Sequence, residues 1–380
     1  KGQLAKTSDV SETSEVLTAF AEEIAATRVL DPACGSGNFL YVALQQLLDL
    51  QKEVIVYADK HGLGEIPLSV GPEQLYGIEI NPYAHELAQM TVWIGYLQWR
   101  FENGFAEINE PVLRPLENIE HKDAVLAYDE EGEPVEPDWP EADVIIGNPP
   151  FLGEKKMRSE LGDEYVSKLQ KLYQNRVPAT SDLVGYWFER ARKQISQKRL
   201  RRVGLIATQN IRGVSNRPIL ERIKQTGNIF WAYSDRDWIL DGATVHVSMV
   251  GFDDGTETTT KLNGEHVSEI YSDLSSGSDV TKASKLSEND DICFQGVGKV
   301  GAFDIEDELA ISMLSAPLNS NDRPNSDVIR PWINATDITQ RPRNIWIIDF
   351  GADISLEEAS LYEKPFEYVE RHVKPTREKV

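Results

Sequence analysis

The residues best suited to chemistry stand where apolar stretches end. "DVIIGNPPF" (residues 143–151) runs from a short strand-like stretch straight into Asn148, Pro149, Pro150 and Phe151. Turn chemistry accounts for the first three, because a proline ring presets φ and pushes the preceding residue out of the helical region. It does not account for Phe151, an aromatic ring where a loop ordinarily carries something polar. A second stretch, "LDPACGSGNFL" (residues 30–40), joins a strand-like "TRVLD" to a helix-like "GNFLYVALQQLLDL". Gly35 and Gly37 permit backbone angles and close approach that a Cβ forbids.

This loop is neither a dinucleotide fingerprint, since Leu40 stands where a third glycine would, nor a P-loop, since no Gly-Lys-Ser/Thr follows. An acid at a strand end followed by Gly-x-Gly suits S-adenosyl-L-methionine, whose amino group a carboxylate can hold and which has no pyrophosphate. Asp31, Pro32, Ala33, Gly35, Gly37, Asn38 and Phe39 are the expected cofactor loop. Glu79, ending "EQLYGIEI", is expected to accept the ribose hydroxyls beside Ile80, as the acid after the second strand does in nucleotide-binding folds. Asp123, read as opening a third strand "DAVLAY", is expected with Ala124 at the adenine, and Asn148 also borders this pocket. Cys34 has no histidine near it in sequence and reads as a small packed residue, not a nucleophile.

The elements that must position these residues alternate. Phe39, Val42, Leu47 and Leu50 recur near helical spacing, and residues 51 to about 72 read as an insertion. Asn81 and Pro82 start a helix whose Leu87, Met90, Ile94, Leu97 and Phe101 share one face, most simply a core stripe. Ser181 and Asp182 are expected to cap a helix containing Leu183, Trp187, Ala191 and Ile195. "RVGLIAT", a helix over 216–227, and the strands "NIFWAYSD" and "ATVHVSMVGF" follow. Repeated strand then helix means an α/β fold, a mostly parallel sheet with helices on both faces and an antiparallel strand to close it. Ligands then belong at the carboxyl ends of the strands. Past residue 252 the composition turns to Ser, Thr, Gly and Asp, which sets domains at 1–255 and 256–380, the second a β-rich or irregular extension with one helix near 306–314.

Composition bounds the function classes. The 380 residues, 41% of them apolar, can bury a large core, and no apolar run is long enough for a membrane span. The start, "KGQLAKTSDV", shows no signal-peptide core, so a cytoplasmic piece of something longer is expected. Two distant cysteines, Cys34 and Cys293, and six scattered histidines give neither a disulfide framework nor a metal spacing. The net charge of −23 argues against wrapping a polyanion over much of the surface, so contact with nucleic acid must be local. The basic run "RARKQISQKRLRR" (190–202) is expected to be a solvated helix end. A loose Pro-Asp, Glu-x-Lys nuclease pattern (Pro137-Asp138, Glu154 to Lys156) is set aside, because its first half lies in an acidic loop.

"DPACGSGNF" and "NPPF" together resemble the first and fourth motifs of the amino-group DNA methyltransferases. "GIEINPYAHELAQMTVWIGYLQW", "NPPFLGEKKMRSELGDEYV", "SDLVGYWFERAR" and "SNRPILERI" are similar to the methyltransferase region of single-chain restriction-modification proteins of the MmeI kind. "SDVIRPWINATDITQRPRNIWIIDFG" is similar to the stretch preceding their recognition domain. The resemblance implies a class I S-adenosylmethionine-dependent methyltransferase fold, double-stranded DNA as partner, a cytoplasmic, nucleoid-associated place in a bacterium or archaeon, and transfer to adenine N6. Asn148 and Pro149 would accept the amino hydrogens, Pro150 would hold the corner rigid, and Phe151 would stack on a flipped base. The same corner could serve cytosine N4, ribosomal RNA guanine or protein glutamine, although tyrosine is usual there in place of Phe151. A domain that binds the cofactor without catalysis is the other class, and the intact Asn148 disfavours it. Cytosine C5 methylation is excluded, since residues 148–153 lack a cysteine. Lys155, Lys156 and Arg158 follow the catalytic strand, and Arg212 and Arg217 follow the next, so these five are the expected phosphate contacts. Arg190 to Arg202 precede a strand and belong to the opposite edge. The family resembled carries a tyrosine-containing segment before the first motif, and no tyrosine stands before Tyr41 here; with the recognition domain expected further on, this stretch alone is expected to bind cofactor with reduced affinity and to methylate only in trace.

Overall fold

A computed structural model describes residues 10–105, 115–240, 243–277, 286, 301–334, 337–338, 342–351 and 354–377. Cys293 and part of the residue 327–352 stretch lie outside the described residues. The chain divides into two compact units, Lys1–Ala283 and Ser284–Val380. The composition shift at 255 is therefore not the boundary: strand β10 (Lys261–Leu262) pairs in parallel with β8 (Asn228–Leu240), so the first unit's sheet recruits residues beyond it.

In the first unit α1 (Val10–Ala26) leads into β1 (Val29–Asp31), α2 (Asn38–Lys60), β2 (Leu75–Glu79), α3 (Pro82–Glu102) and β3 (Ile119–His121). A small hairpin of β4 (Ala127–Tyr128) and β5 (Pro134–Val135) precedes β6 (Val144–Gly147). Then come α4 (Glu154–Leu161), α5 (Asp163–Leu172), α6 (Val184–Ser196), β7 (Arg202–Thr208), α7 (Arg217–Thr226), β8, β9 (Ala243–Asp253), β10 and β11 (Glu265–His266). Among the described residues, all of these strands but β4 and β5 form one nine-stranded sheet in the order β11-β10-β8-β9-β7-β6-β1-β2-β3. From β3 to β7 neighbours are parallel, and β9 inserts antiparallel between β7 and β8. The chain reverses direction in the sheet between β1 and β6, so the crevice above their carboxyl ends is a topological switch point.

Several expectations about the elements need correction. Residue 123 does not open the third strand; β3 ends at His121 and Asp123 stands in the turn after it. Its Oδ1 accepts from the Val125 and Leu126 N–H groups, which withdraws those donors from any ladder. Helix α6 begins at Val184 without a side-chain cap, because the Ser181 hydroxyl donates to the Ser215 carbonyl and Asp182 accepts from Thr208 Oγ1. Both residues tie the start of α6 to neighbouring loops instead.

The apolar stripe of α3 faces outward. Met90, Ile94 and Phe101 are exposed, while Ala88, Val92, Gly95 and Trp99 are buried. Small size decides this. A Cβ on Gly95 would sit 2.1 Å from the Tyr41 ring and one on Gly37 would meet Ala88 at 3.0 Å, so α2 and α3 approach through their smallest residues. In α2 the buried line is Leu40, Leu44, Leu48, Val54 and Ala58, rotated from the Val42 and Leu50 line, both of which are exposed. The helix also absorbs the first ten residues of the expected insertion.

The second unit is a three-stranded antiparallel sheet of β12 (Asp304–Glu306), β14 (Ile345–Ile348) and β13 (Ile329–Pro331), with α8 (Asp307–Leu314) after β12. Ile305, Ala310, Met313, Ile329, Ile348 and Tyr362 form its core. No helix among the described residues is long and apolar enough to cross a membrane.

Candidate active site at the carboxyl edge of the sheet

Register brings the expected residues together. Asp31 pairs with Gly77 of β2, and Val29 and Leu30 pair with Val144 and Ile145 of β6, so β1, β2 and β6 end side by side. Asp31, Glu79 and Asn148 therefore emerge at one edge. Asp31 is 1% exposed, and its Oδ1 accepts from the Ala33 N–H at 3.0 Å. Burial pushes its carboxyl up to about 7, with the Ala33 hydrogen bond resisting and the Glu79 charge adding to the rise. Among the described residues no cation pairs with it. A buried acid in that condition suits a ligand that brings its own positive charge.

The glycine loop is held from three sides. Gly35 N–H donates to Glu79 Oε2 at 2.8 Å, Cys34 N–H donates to the Ile78 carbonyl, and Trp187 Nε1 donates to the Pro32 carbonyl at 2.9 Å. Gly35 and Gly37 both have positive φ, at +54° and +84°, where a side chain is strained. Asn38 starts α2 on the exposed side and Phe39 is half-buried beside it. Glu79 is more engaged than expected, since its Oε1 accepts from the Asn81 N–H. Each oxygen keeps a further lone pair for a hydroxyl. Ile80, 63% exposed, stands next to it as an apolar surface at the edge. Asp123 is reached from β3 and its Oδ2 accepts from the Tyr165 hydroxyl at 2.7 Å. Ala124 lies in the hydrophobic core and its carbonyl is taken by Trp139 Nε1. Cys34 is buried, and burial with the nearby Asp31 and Glu79 charges pushes its thiol far up, which suits packing against Gly77 rather than nucleophilic work.

Asn148 supplies a second incomplete feature. Its side-chain Oδ1 is buried without a hydrogen-bond partner among the described residues. Native structures leave few such acceptors, because an unpaired buried polar atom is costly. Pro149 is buried, Pro150 is exposed and Phe151 is half-buried against the core. The corner is pinned just past Phe151, with Leu183 N–H donating to the Leu152 carbonyl at 2.9 Å. A cavity of about 410 Å³ adjoins it, lined by Phe151, Leu152, Lys155, Lys156, Asp182 and Thr208 among others.

The basic residues separate into two groups. Lys155 and Lys156 are exposed and make no ion pair among the described residues. Arg158 pairs with Asp163, Arg212 pairs with Asp235, and Arg217 donates to the Arg212 carbonyl. The 190–202 run is not wholly a solvated helix end. Arg190 and Arg192 are buried against Glu136 and Glu189, while Lys198, Arg199, Arg201 and Arg202 are exposed.

Several site residues were not singled out from the sequence. Gly147 is required because a Cβ there would sit 2.7 Å from Asp31 Oδ1. Tyr165 and Trp187 hold Asp123 and the Pro32 carbonyl from helices α5 and α6. Only Gly147 carried a local signal, a glycine directly before the asparagine of the corner.

The profile of the family described as "MmeI, DNA-methyltransferase domain" matches residues 6–263. DNA methyltransferase A of Bacillus subtilis (strain 168) is 31% identical over 240 residues, which are 60% of this chain and 26% of that protein. A putative type II restriction enzyme and methyltransferase of Methanocaldococcus jannaschii is 33% identical over 92 residues, 24% of this chain and 8% of that one. Among solved structures, the type IIL restriction-modification enzyme MmeI in complex with DNA matches at a TM-score of 0.66 and 21% identity, over 97% of this chain and 52% of that chain. The fold is accordingly the class I S-adenosylmethionine-dependent methyltransferase fold. The chain spans about half the length of MmeI and about a quarter of the Bacillus protein. With the family profile covering most of its length, including the glycine loop and the Asn-Pro-Pro-Phe corner, this chain belongs to the MmeI-type DNA-methyltransferase domain family.

Proposed function

We propose that the first unit methylates the N6 amino group of an adenine flipped out of double-stranded DNA, within a restriction-modification or related phage-defence protein acting in the cytoplasm of a bacterium or archaeon. The observation that carries this reading is the buried Asn148 Oδ1, without a hydrogen-bond partner among the described residues, three residues before Phe151, which lines the cavity of about 410 Å³. An exocyclic amino nitrogen has its lone pair delocalised into the ring. Asn148 Oδ1 and the Pro149 carbonyl each accept one amino hydrogen, which turns the lone pair out of the ring plane. The two prolines keep the acceptors rigid and add no competing N–H. Phe151 stacks on the base, a contact worth about 1–3 kcal/mol.

The glycine loop and the acids beside it fit S-adenosylmethionine by the chemistry of their acceptors. Asp31 holds the amino group, the 35–37 backbone follows the methionine end, Glu79 accepts from the ribose, and Ile80 and Asp123 border the adenine. Bound there, the cofactor supplies a methyl group on a sulfonium. Most of the acceleration is alignment of base and methyl for in-line transfer. Lys155 and Lys156, without ion pairs among the described residues and beside the corner, are better phosphate contacts than Arg158 and Arg212, which pair with Asp163 and Asp235, or Arg217, which is tied to the Arg212 carbonyl. The MmeI structure is a complex with DNA, which supports DNA as substrate. The second unit would lead towards a target-recognition domain.

Asn148→Ala in the full-length protein should cut tritiated methyl incorporation into plasmid DNA by about 10²–10³-fold, while calorimetric affinity for the cofactor stays near wild type. A retained rate would sink the pocket chemistry. Digestion and mass spectrometry of the product should give N6-methyladenine. N4-methylcytosine, or label in ribosomal RNA or protein, would move the assignment to that amino group.

A further inference from the structure

Tyr165 has no part in the chemistry described so far, yet its hydroxyl bonds to Asp123, the acid that the cofactor reading sets at the adenine. It stands in the first turn of α5, and that helix follows α4 directly after the Asn148 corner, through Gly162 at φ +85°. Its half-buried hydroxyl donates to Asp123 Oδ2 at 2.7 Å. Burial and the neighbouring Asp123 charge push its own pKa well up, so it remains a donor throughout the working range.

Asp123 is otherwise an ordinary turn former. Its Oδ1 is filled by the Val125 and Leu126 N–H groups at 2.7 and 3.1 Å. Only Oδ2 can face a ligand, and Tyr165 fixes where that oxygen points. The turn is positioned from further sides too: Tyr173 Oη donates to the Val125 carbonyl, Trp139 Nε1 to the Ala124 carbonyl, and Lys122 N–H to the Glu79 carbonyl beside the ribose-side acid. Three donors on one carboxylate remove its rotational freedom and leave one lone pair on Oδ2.

We propose that Tyr165 is a positioning residue that makes the cofactor pocket selective for a 6-amino purine, by holding Asp123 Oδ2 as an acceptor for that amino group. The inference rests on the cofactor reading above. A 6-oxo purine presents an acceptor where Asp123 presents one, so the wild-type pocket rejects it. Without the hydroxyl the carboxylate is looser, and the 6-amino ligand alone loses by it. The arrangement also places the cofactor's base and the corner for the target base on one continuous stretch of chain.

The test is calorimetric titration with S-adenosylhomocysteine and its 6-oxo analogue S-inosylhomocysteine, on wild type, Tyr165→Phe and Asp123→Asn, with melting temperatures recorded without ligand. Wild type should prefer the adenosyl ligand by at least about tenfold, and Tyr165→Phe should weaken it about 3–10-fold while changing the inosyl ligand less than about twofold. Asp123→Asn, which replaces the free acceptor with a donor, should reverse the preference. Equal losses for both ligands in Tyr165→Phe would reduce the residue to a structural role and overturn the proposal. So would no loss for either, or an unreversed preference in Asp123→Asn. Wild type binding neither ligand would overturn the cofactor reading itself, whereas wild type binding both equally would overturn this inference alone.

Discussion

Glu189 and Asp31 are both buried carboxylates, at 0% and 1% exposure, and their surroundings are opposite. Glu189 sits on α6 with Arg192 at 2.7 Å, Arg222 at 3.2 Å and Arg176 at 3.9 Å. Nearby, Glu136 gathers Arg176, Arg190 and Lys193; burial works to raise its pKa, but those cations hold it down at about 2. Asp31 has one backbone hydrogen bond and no cation among the described residues. A carboxylate whose charge is answered by the protein serves the fold. One whose charge is left unanswered at a strand end, beside a glycine loop, is set for a ligand. The basic run that looks most like a nucleic-acid patch in the sequence is, in its first half, the answering charge for Glu189 and Glu136.

The largest break of this contrast should come from Glu189→Ala. It leaves Arg192 and Arg222 buried or half-buried without their anion, and should lower unfolding free energy in urea by about 3–5 kcal/mol. Asp31→Asn should act in the opposite direction. The folded pKa of about 7 lies above the ordinary 3.8, so the folded protein keeps a proton that the unfolded chain releases. Stability without ligand therefore falls as pH rises through that window, by roughly 2–4 kcal/mol. A side-chain amide cannot ionise, so the variant should melt higher than wild type near pH 8 and show no such decline, while losing cofactor binding. In wild type, cofactor affinity should fall as pH is lowered through 7, by up to about tenfold per unit, since a protonated Asp31 cannot hold a cation. Calorimetry near pH 8 and pH 6 reads this, and a flat profile would put the amino group elsewhere.

The two apolar faces of α3 give a milder version of the same comparison. Gly95→Ala places a Cβ into the Tyr41 ring and should cost about 1–3 kcal/mol. Met90→Gln and Ile94→Gln, on the longer and more hydrophobic stripe, should each stay within about 0.5 kcal/mol, because those side chains are exposed. A larger loss at either would mean that the stripe is covered in solution.

Hydrophobic periodicity showed that α3 is a helix, but two stripes satisfy it. Which one packs depends on how closely α2 can approach, and that is set by Gly37, Ala88 and Gly95 together. Asp123 was expected among the site acids as the residue that opens the strand-like run "DAVLAY". Its place after β3 was not, because the Val125 and Leu126 N–H groups could have served a ladder equally well. Arg190 read as solvated because its partner Glu136 is more than fifty residues away in sequence.

What the sequence determined by itself is what local covalent order can carry. It placed an acid and Gly-x-Gly after the first strand, Glu79 after the second, the rigid Asn148 corner after a later strand, and enough strand-helix alternation to require a parallel sheet with these ends at one edge. What only the tertiary structure decided is which groups find partners. Packing gave Glu189 its arginines and gave Asp123 the Tyr165 hydroxyl, while among the described residues it left Asp31 without a cation and Asn148 Oδ1 without a partner. The physical reason is that burial and pairing are properties of segments brought together from distant parts of the chain. A residue's own neighbours in sequence fix its element and its edge, but not the charge or hydrogen bond that it will meet there.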